Sequence, residues 1–168
     1  MRKRVAIYWL IPAQPERELF RELIRILAVE FDAARFQPHL TLCRGSSSVS
    51  AAKTLHKIQF SPITLRVADV SQSSKFTQTL IVRFRPDERL NSLVSRLDSR
   101  PNPIQNPHLS LLYQQLPSTT RRALCEVIKL PFRKVTFASI AAMSCPSPTE
   151  TTADVRSWRK IATTRARV

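Results

Sequence analysis

Two of the three histidines stand in nearly the same five-residue sequence, which occurs once in each half of the chain. The first copy, Pro-His-Leu-Thr-Leu, contains His39 and Thr41, and the second, Pro-His-Leu-Ser-Leu, contains His108 and Ser110. Successive side chains of a β-strand point to opposite faces, so each histidine is predicted to share a face with its hydroxyl residue. If the two strands meet, two imidazoles and two hydroxyls converge on one cleft.

Two facing imidazoles are suited to moving two protons in opposite directions. Because the pKa of an unperturbed histidine is about 6.5, one ring can be neutral while the other is protonated near pH 7. The neutral ring then acts as general base and the protonated ring as general acid, although the spacing does not decide which is which. The hydroxyls of Thr41 and Ser110 are suited to donating to phosphate oxygens. His56 lies in a helical pattern without a matching motif, which indicates a surface or core role.

The composition excludes a glycine-rich phosphate loop and indicates an anionic partner. The 168 residues include one glycine, whereas such loops need several. Lys and Arg number 27 against 12 Asp and Glu, a net charge of +15 that is spread over both halves. This excess fits either a functional basic groove or a solvated basic surface.

The cysteines and the N-terminal segment indicate a reduced, cytoplasmic protein. Neither a zinc site nor a disulfide framework is predicted, because the three cysteines are odd in number and widely spaced: Cys43, Cys125 and Cys145. Cys43 is predicted to share the strand face of His39. The short apolar run that ends at Pro12 is interpreted as a buried strand rather than a signal peptide. No apolar run is long enough for a transmembrane helix.

The order of the predicted elements repeats between the two halves: a helix, a strand with the histidine motif, a second helix and two more strands. Helices are predicted over 15–31, 50–59, 87–97 and 118–130. Strands are predicted over 5–11, 36–44, 63–71, 76–85, 108–113, 134–145 and 155–163. This order predicts an α+β fold of two lobes, each with an antiparallel sheet and outer helices, related by a pseudo-twofold axis with the cleft between them. We expect one bilobal domain over 1–168, with halves of about 1–85 and 86–168.

The two motifs resemble those of the two-histidine (2H) phosphoesterase superfamily, which has the 2′-5′ RNA ligase-like fold. The resemblance is strongest to the cyclic phosphodiesterases that open ADP-ribose 1″,2″-cyclic phosphate and nucleoside 2′,3′-cyclic phosphates. It extends to Tyr-Trp-Leu-Ile-Pro at 8–12, to Phe-Thr-Gln at 76–78 and to Tyr113 after the second motif. It covers most of the chain up to about Leu130.

The resemblance implies hydrolysis of a cyclic phosphate without a metal or another cofactor. It implies that His39 and His108 form the acid–base pair, with His108 as base and His39 as acid, and that Thr41 and Ser110 bind the phosphate. Three aromatic residues are expected to line the cleft and stack on a base: Trp9, Phe76 and Tyr113. Arg44, just after the first motif, is a candidate to reach a second phosphate.

Two alternatives remain open at this point. The first is RNA-end processing or 2′-5′ ligation of RNA, which fits the excess positive charge. The second is a non-catalytic basic RNA-binding protein, which leaves the repeated pairing of histidine with hydroxyl unexplained. The expected partners are therefore a cyclic nucleotide or an ADP-ribose cyclic phosphate, with RNA ends as the alternative. No membrane is expected as a partner, and a monomer is favoured.

Overall fold

The computed structural model describes residues 2–98, 100 and 102–168 and has an α+β fold, as the sequence predicts. Its strands are β1 (Arg4–Pro12), β2 (Leu40–Gly45), β3 (Ile63–Gln72), β4 (Leu80–Phe84), β5 (His108–Leu112), β6 (Lys134–Pro146) and β7 (Arg159–Arg165). Its α-helices are α1 (Glu16–Glu30), α2 (Ser48–Lys57), α3 (Glu88–Leu97), α4 (Ser118–Val127) and α5 (Thr152–Arg156).

The strands of the described residues form one antiparallel sheet where two were predicted. Their order is β1-β2-β5-β4-β3-β6-β7, and β6 also pairs with β1. Strands β1 to β6 therefore form a closed ring of paired strands. The physical reason is the length of β6, which has 13 residues and pairs first with β3 and then with β1. Strands from the two sequence halves are therefore neighbours, and two separate sheets are not observed.

The two motif strands meet at one residue pair, Leu40 of β2 opposite Leu109 of β5. Both leucines are fully buried, and Leu42 and Leu111 lie in the same core. The helices that cover this core are α3, which packs against β2, and α1, which packs against β5. Alternation along each strand therefore directs the polar motif residues to the other face of the sheet, as the sequence predicts.

Each motif strand is paired with its other neighbour in the same way. Thr41 lies opposite Trp9 of β1, and Ser110 lies opposite Ile81 of β4. In both pairs the register shifts by one residue just beyond the hydroxyl residue, a shift typical of a β-bulge. The two copies of the motif thus occupy equivalent positions in the sheet.

The helices lie over the sheet with their apolar sides inward. The apolar side predicted for α3 is confirmed, because this helix buries Leu90, Leu93, Val94 and Leu97. The side predicted for α1 from the spacing of Leu19, Leu23, Ile26 and Leu27 is wrong by one residue: α1 buries Phe20, Ile24, Leu27 and Ala28 and leaves Leu19 and Ile26 about half exposed. None of the helices in the described ranges combines the length and the apolar character needed to cross a bilayer.

Several predicted boundaries are wrong near the site. β2 begins at Leu40 rather than at residue 36, so His39 lies immediately before the strand. Residues 76–78 form a single 3-10 turn instead of the start of a strand. Residues 155–158 end α5 and lead into β7, whereas a strand was predicted from 155. In each case the chain bends where it enters or leaves the sheet, and local alternation does not show such a bend.

Two helix ends also differ from the predictions. α2 begins at Ser48 rather than at residue 50, and Ser47 caps it by accepting a hydrogen bond from the Ser50 amide. α4 begins at Ser118 without a side-chain cap and ends at Val127 rather than at residue 130.

Candidate active site

The polar residues of both motifs line one cavity of about 290 Å³ next to the point where β2 and β5 meet. His39, Thr41, His108 and Ser110 all form part of its wall. The structure therefore brings together the four residues that the motif spacing singles out.

His39 is held rigidly from two sides. Its Nδ1 lies 2.7 Å from the backbone oxygen of Gln37, and its ring stacks on Trp9 with 3.6 Å between centroids and 10° between planes. Since a carbonyl oxygen only accepts hydrogen bonds, the neutral ring carries its proton on Nδ1. The lone pair is then on Nε2, the nitrogen that can serve as a base.

His108 is held by the same kind of bond but is less enclosed. It is the first residue of β5, and its Nδ1 lies 2.9 Å from the backbone oxygen of Asn106. In both motifs the ring therefore bonds to the carbonyl two residues earlier in the chain, which leaves Nε2 for chemistry. The two sites differ in burial, since His39 is buried and His108 is half-buried.

The pKa of His39 is lowered to about 4, mainly by burial and to a smaller extent by the charge of nearby His108. The hydrogen bond to the Gln37 carbonyl acts in the opposite direction but is the smaller effect. His39 is consequently neutral near pH 7. This state suits a general base.

The two hydroxyl residues of the motifs differ in burial and in hydrogen bonding. Ser110 is buried, and its Oγ donates to the backbone oxygen of Thr77 at 2.8 Å. Thr41 is exposed to solvent. Tyr113 lies beside Ser110: burial raises the pKa of Tyr113, and a hydrogen bond with Ser110 lowers it by less.

Two of the three predicted aromatic residues line the cavity, and the third does not. Trp9 and Tyr113 are wall residues, but they are only 2% and 5% exposed, so they offer little surface for stacking on a base. Phe76 lies behind Tyr113, with 6.0 Å between the ring centroids, in a buried cluster. The 3-10 turn at 76–78 is the reason, because it buries Phe76 and leaves Thr77 and Gln78 in the cavity wall.

Trp158 is a wall residue that sequence reasoning missed. Its ring stands edge-on to His39, Trp9 and Tyr113, with centroid distances of 5.7, 5.0 and 5.4 Å. A strand was predicted over 155–163, and a tryptophan within a strand does not by itself indicate a site residue. The scarcity of tryptophan could have pointed to it, since the chain has only two and the other is Trp9.

Cys43 does not share the face of His39, and that prediction is wrong. The register shift places Cys43 opposite Tyr8, and both lie on the core side of the sheet. Burial raises the pKa of the Cys43 thiol to about 12, so the thiol stays protonated. Among the residues that the structure describes, no three His, Cys, Asp or Glu side chains are grouped closely enough to hold a metal ion.

The cavity wall carries positive charge without a carboxylate. Arg44 is the one Lys or Arg among its described residues, and none of them is Asp or Glu. Most of the net charge of +15 therefore lies elsewhere on the surface. The proline-containing loop after β6 completes the wall through Ser147, Pro148 and Thr149, which the sequence analysis did not single out.

The fold is shared with several solved structures. Escherichia coli LigT complexed with ATP matches with a TM-score of 0.55 and 16% sequence identity over 100% of both chains. LigT complexed with 3′-AMP gives 0.56 and 16% identity over 98% of this chain and 99% of that one. A protein described as a phosphoesterase gives 0.57 and 14% identity over 99% and 100%. No family model matches the chain, and no curated protein matches it in sequence. The shared fold agrees with the resemblance that the two motifs carry.

The buried His39 predicts a stability that falls on acidification. Its pKa is about 4 in the folded chain and about 6.5 when unfolded, so the unfolded state takes up the proton first. Its stabilising contribution is complete above pH 6.5 and is lost between pH 6.5 and 4. Between pH 7 and pH 5 the free energy of unfolding, measured with urea, should fall in both proteins. We expect the fall to be about 2 kcal/mol larger in the wild type than in His39→Gln.

The matched control for this measurement is His56→Gln. His56 is exposed in the last turn of α2, so this variant should lose as much stability as the wild type. An equal loss in the wild type and in His39→Gln would contradict the burial of a neutral His39.

Proposed function

We propose that the chain is a 2H phosphoesterase that hydrolyses a ribose cyclic phosphate, either a nucleoside 2′,3′-cyclic phosphate or ADP-ribose 1″,2″-cyclic phosphate. One observation carries the proposal: two imidazoles, each with Nδ1 bonded to the backbone, share one cavity wall with two hydroxyls. The fold shared with a phosphoesterase supports the reaction class.

In this reaction His39 is the general base and His108 the general acid. Nε2 of His39 takes a proton from water, and the water oxygen forms a bond to phosphorus. The bond between phosphorus and one ribose oxygen breaks, and protonated His108 gives its proton to that oxygen. One water is consumed and the product is a phosphomonoester.

The difference in burial supports this direction of proton transfer. The buried ring of His39 is the poorer place for a positive charge. The half-buried ring of His108 keeps part of its hydration when protonated. The resemblance to the cyclic phosphodiesterases implies the opposite assignment, and the enclosure of His39 by Trp9 and Trp158 is our reason for reversing it.

Thr41 and Ser110 are the residues whose hydroxyls meet the charge on the reacting phosphate. Donors placed where charge develops stabilise the transition state without reorganising solvent. Ser110 must exchange its bond to the Thr77 carbonyl for a bond to the phosphate. Thr41 is solvated and gives up only hydrogen bonds to water. Binding the phosphate therefore costs Ser110 a hydrogen bond within the protein, whereas it costs Thr41 none.

The proposal includes one bilobal domain with its cleft between two lobes related by a pseudo-twofold axis. The equivalent pairing of β2 with β1 and of β5 with β4 supports this relation. So does the meeting of the motifs at equivalent leucines, Leu40 and Leu109.

Removing either imidazole should abolish turnover. We expect His39→Gln and His108→Gln each to lower kcat/KM for cytidine 2′,3′-cyclic phosphate by about 10²–10⁴-fold, the range for a lost acid or base. The assay contains EDTA and separates 2′- from 3′-phosphate products. His56→Gln is the matched control and should keep wild-type activity, while full activity in either motif variant would refute the assignment.

A substrate whose leaving group needs no proton distinguishes the general acid from the general base. A 4-nitrophenolate anion leaves without a proton, so it bypasses a missing general acid but not a missing base. With thymidine 3′-(4-nitrophenyl phosphate), which lacks a 2′-hydroxyl, His108→Gln should recover most of the wild-type rate. His39→Gln should stay impaired, as followed by nitrophenolate absorbance. Recovery of His39→Gln instead would restore the assignment implied by the cyclic phosphodiesterases.

RNA ends are the second candidate substrate, favoured by a neighbouring concavity. This concavity, of about 630 Å³, is lined by Arg2, Arg4 and Arg159 together with Asp154, the ion-pair partner of Arg2, and it shares Pro146 with the catalytic cavity. Each phosphate contact that a protein makes adds to the salt dependence of binding. A nucleic acid strand that leaves the catalytic cavity at Pro146 would enter this basic surface.

For this second candidate, Arg159→Ala should reduce the salt dependence of binding of a ten-nucleotide RNA that ends in a cyclic phosphate. The slope of log K against log salt concentration should fall by about 1 for one lost phosphate contact. The KM of the mononucleotide should not change. Equal slopes in the wild type and the variant would exclude this path for RNA.

A further inference from the structure

Resting on the proposed function, we propose that Arg44 and Ser147 form a second phosphate subsite in the catalytic cavity. Its ligand is a phosphate on the 5′-oxygen of the same ribose whose cyclic phosphate lies between the histidines. A terminal monophosphate, the diphosphate of ADP-ribose and the phosphodiester of an RNA end all present this group.

The cavity extends from the histidines to Arg44 along the pair β1–β2. At one end Trp9 lies opposite Thr41, and further along Ile7 lies opposite Arg44. All four residues are in the cavity wall. Arg44 is three positions beyond Thr41, at most about 10 Å along a strand. A guanidinium at this distance lies beyond the first phosphate but within the same cavity.

Arg44 has hydrogen-bond donors to spare. Its Nη2 donates to Oγ of Ser147 at 3.1 Å, and within the described ranges it forms no ion pair. The nearby acidic residues, Glu150 of the adjoining loop and Asp154 of α5, are engaged by Arg2. The planar guanidinium therefore has N–H donors left over, and their arrangement matches two oxygens of a phosphate.

Ser147 supplies a second donor at the same place. Its hydroxyl accepts the hydrogen bond from Arg44, which leaves its own proton free to be donated. The Ser147 amide donates to the backbone oxygen of Lys3 at 2.9 Å, which ties the loop to the start of β1. A charged donor and a neutral donor thus face one position in the wall.

The size of the cavity connects the two phosphates to one ribose. About 290 Å³ is at the lower end of the range of small-ligand pockets. This volume suits one ribose unit with two phosphate groups rather than two nucleotides. The group that reaches Arg44 is therefore on the sugar in the cavity, and the 5′-oxygen is the position that extends away from the 2′ and 3′ oxygens.

The decisive experiment compares cytidine 2′,3′-cyclic phosphate with and without a 5′-phosphate. The wild type should prefer the 5′-phosphorylated substrate by about tenfold in kcat/KM, mainly through KM, as expected for one charge-assisted contact. In Arg44→Gln this preference should fall to about twofold or less. Arg66→Gln is the matched control, because Arg66 is also exposed but lines a different cavity, and it should keep the wild-type preference.

The outcomes separate this subsite from the proposed function. Turnover of both substrates without a preference, or the same preference in Arg44→Gln, overturns the subsite and leaves the function intact. No turnover of either substrate overturns the function. Calorimetric titration with cytidine 3′-phosphate and cytidine 3′,5′-bisphosphate then tests the subsite alone: a 5′-phosphate gain that Arg44→Gln removes supports it, and equal affinities refute it.

Further substrates identify the source of the 5′-phosphate. ADP-ribose 1″,2″-cyclic phosphate and a dinucleotide that ends in a cyclic phosphate are assayed beside the 5′-monophosphate. The substrate whose KM rises most in Arg44→Gln is the one that uses the subsite. Unchanged KM values for all three contradict the proposal.

Discussion

The cavity that holds the two histidines depends on one contact, the meeting of β2 and β5 at Leu40 and Leu109. Both side chains are fully buried, and burial of a leucine contributes about 1.5–3 kcal/mol. Because side chains alternate along a strand, burying these leucines on one face holds the histidines and hydroxyls on the other. A slip of one residue in either strand would bury the polar residues and expose the leucines, so the core also fixes the register of the site.

The sequence alone predicts the features that follow from local alternation, helical periodicity and the repeated motif. Alternation places His39 with Thr41 and His108 with Ser110, and helical periodicity finds the buried side of α3, whereas in α1 it selects a side displaced by one residue from the buried one. The position of Cys43 was mispredicted because a register shift in β2 is not marked by any glycine or proline. Trp158 was missed because its position depends on α5, a short helix whose packing is tertiary. The joining of the sheets by β6 is likewise a consequence of partners distant in sequence.

In the proposed function, phosphate binding falls to side chains, because one glycine is too few for a glycine-rich backbone loop. The single glycine, Gly45, closes β2 with an ordinary negative φ. A Cβ at this position would stand 3.3 Å from side-chain atoms of Ala6 and Tyr8, so the glycine serves close packing. The positive charge is largely outside the cavity. The site therefore relies on a few placed donors, with Arg44 as its one permanent cation among the described wall residues.

In the second copy of the repeated element order a short added helix, α5, lies between β6 and β7, where the first copy has a single 3-10 turn between β3 and β4. The chain that leaves α5 brings Trp158 edge-on to His39, while His108 stays half-buried. Two identical halves would accept a cyclic phosphate in either of two opposed orientations, since each histidine would serve equally well as base. The added segment removes this degeneracy. For the proposed hydrolysis the consequence is regiochemical: one of the two ester oxygens always faces the acid, and a single regioisomer is released.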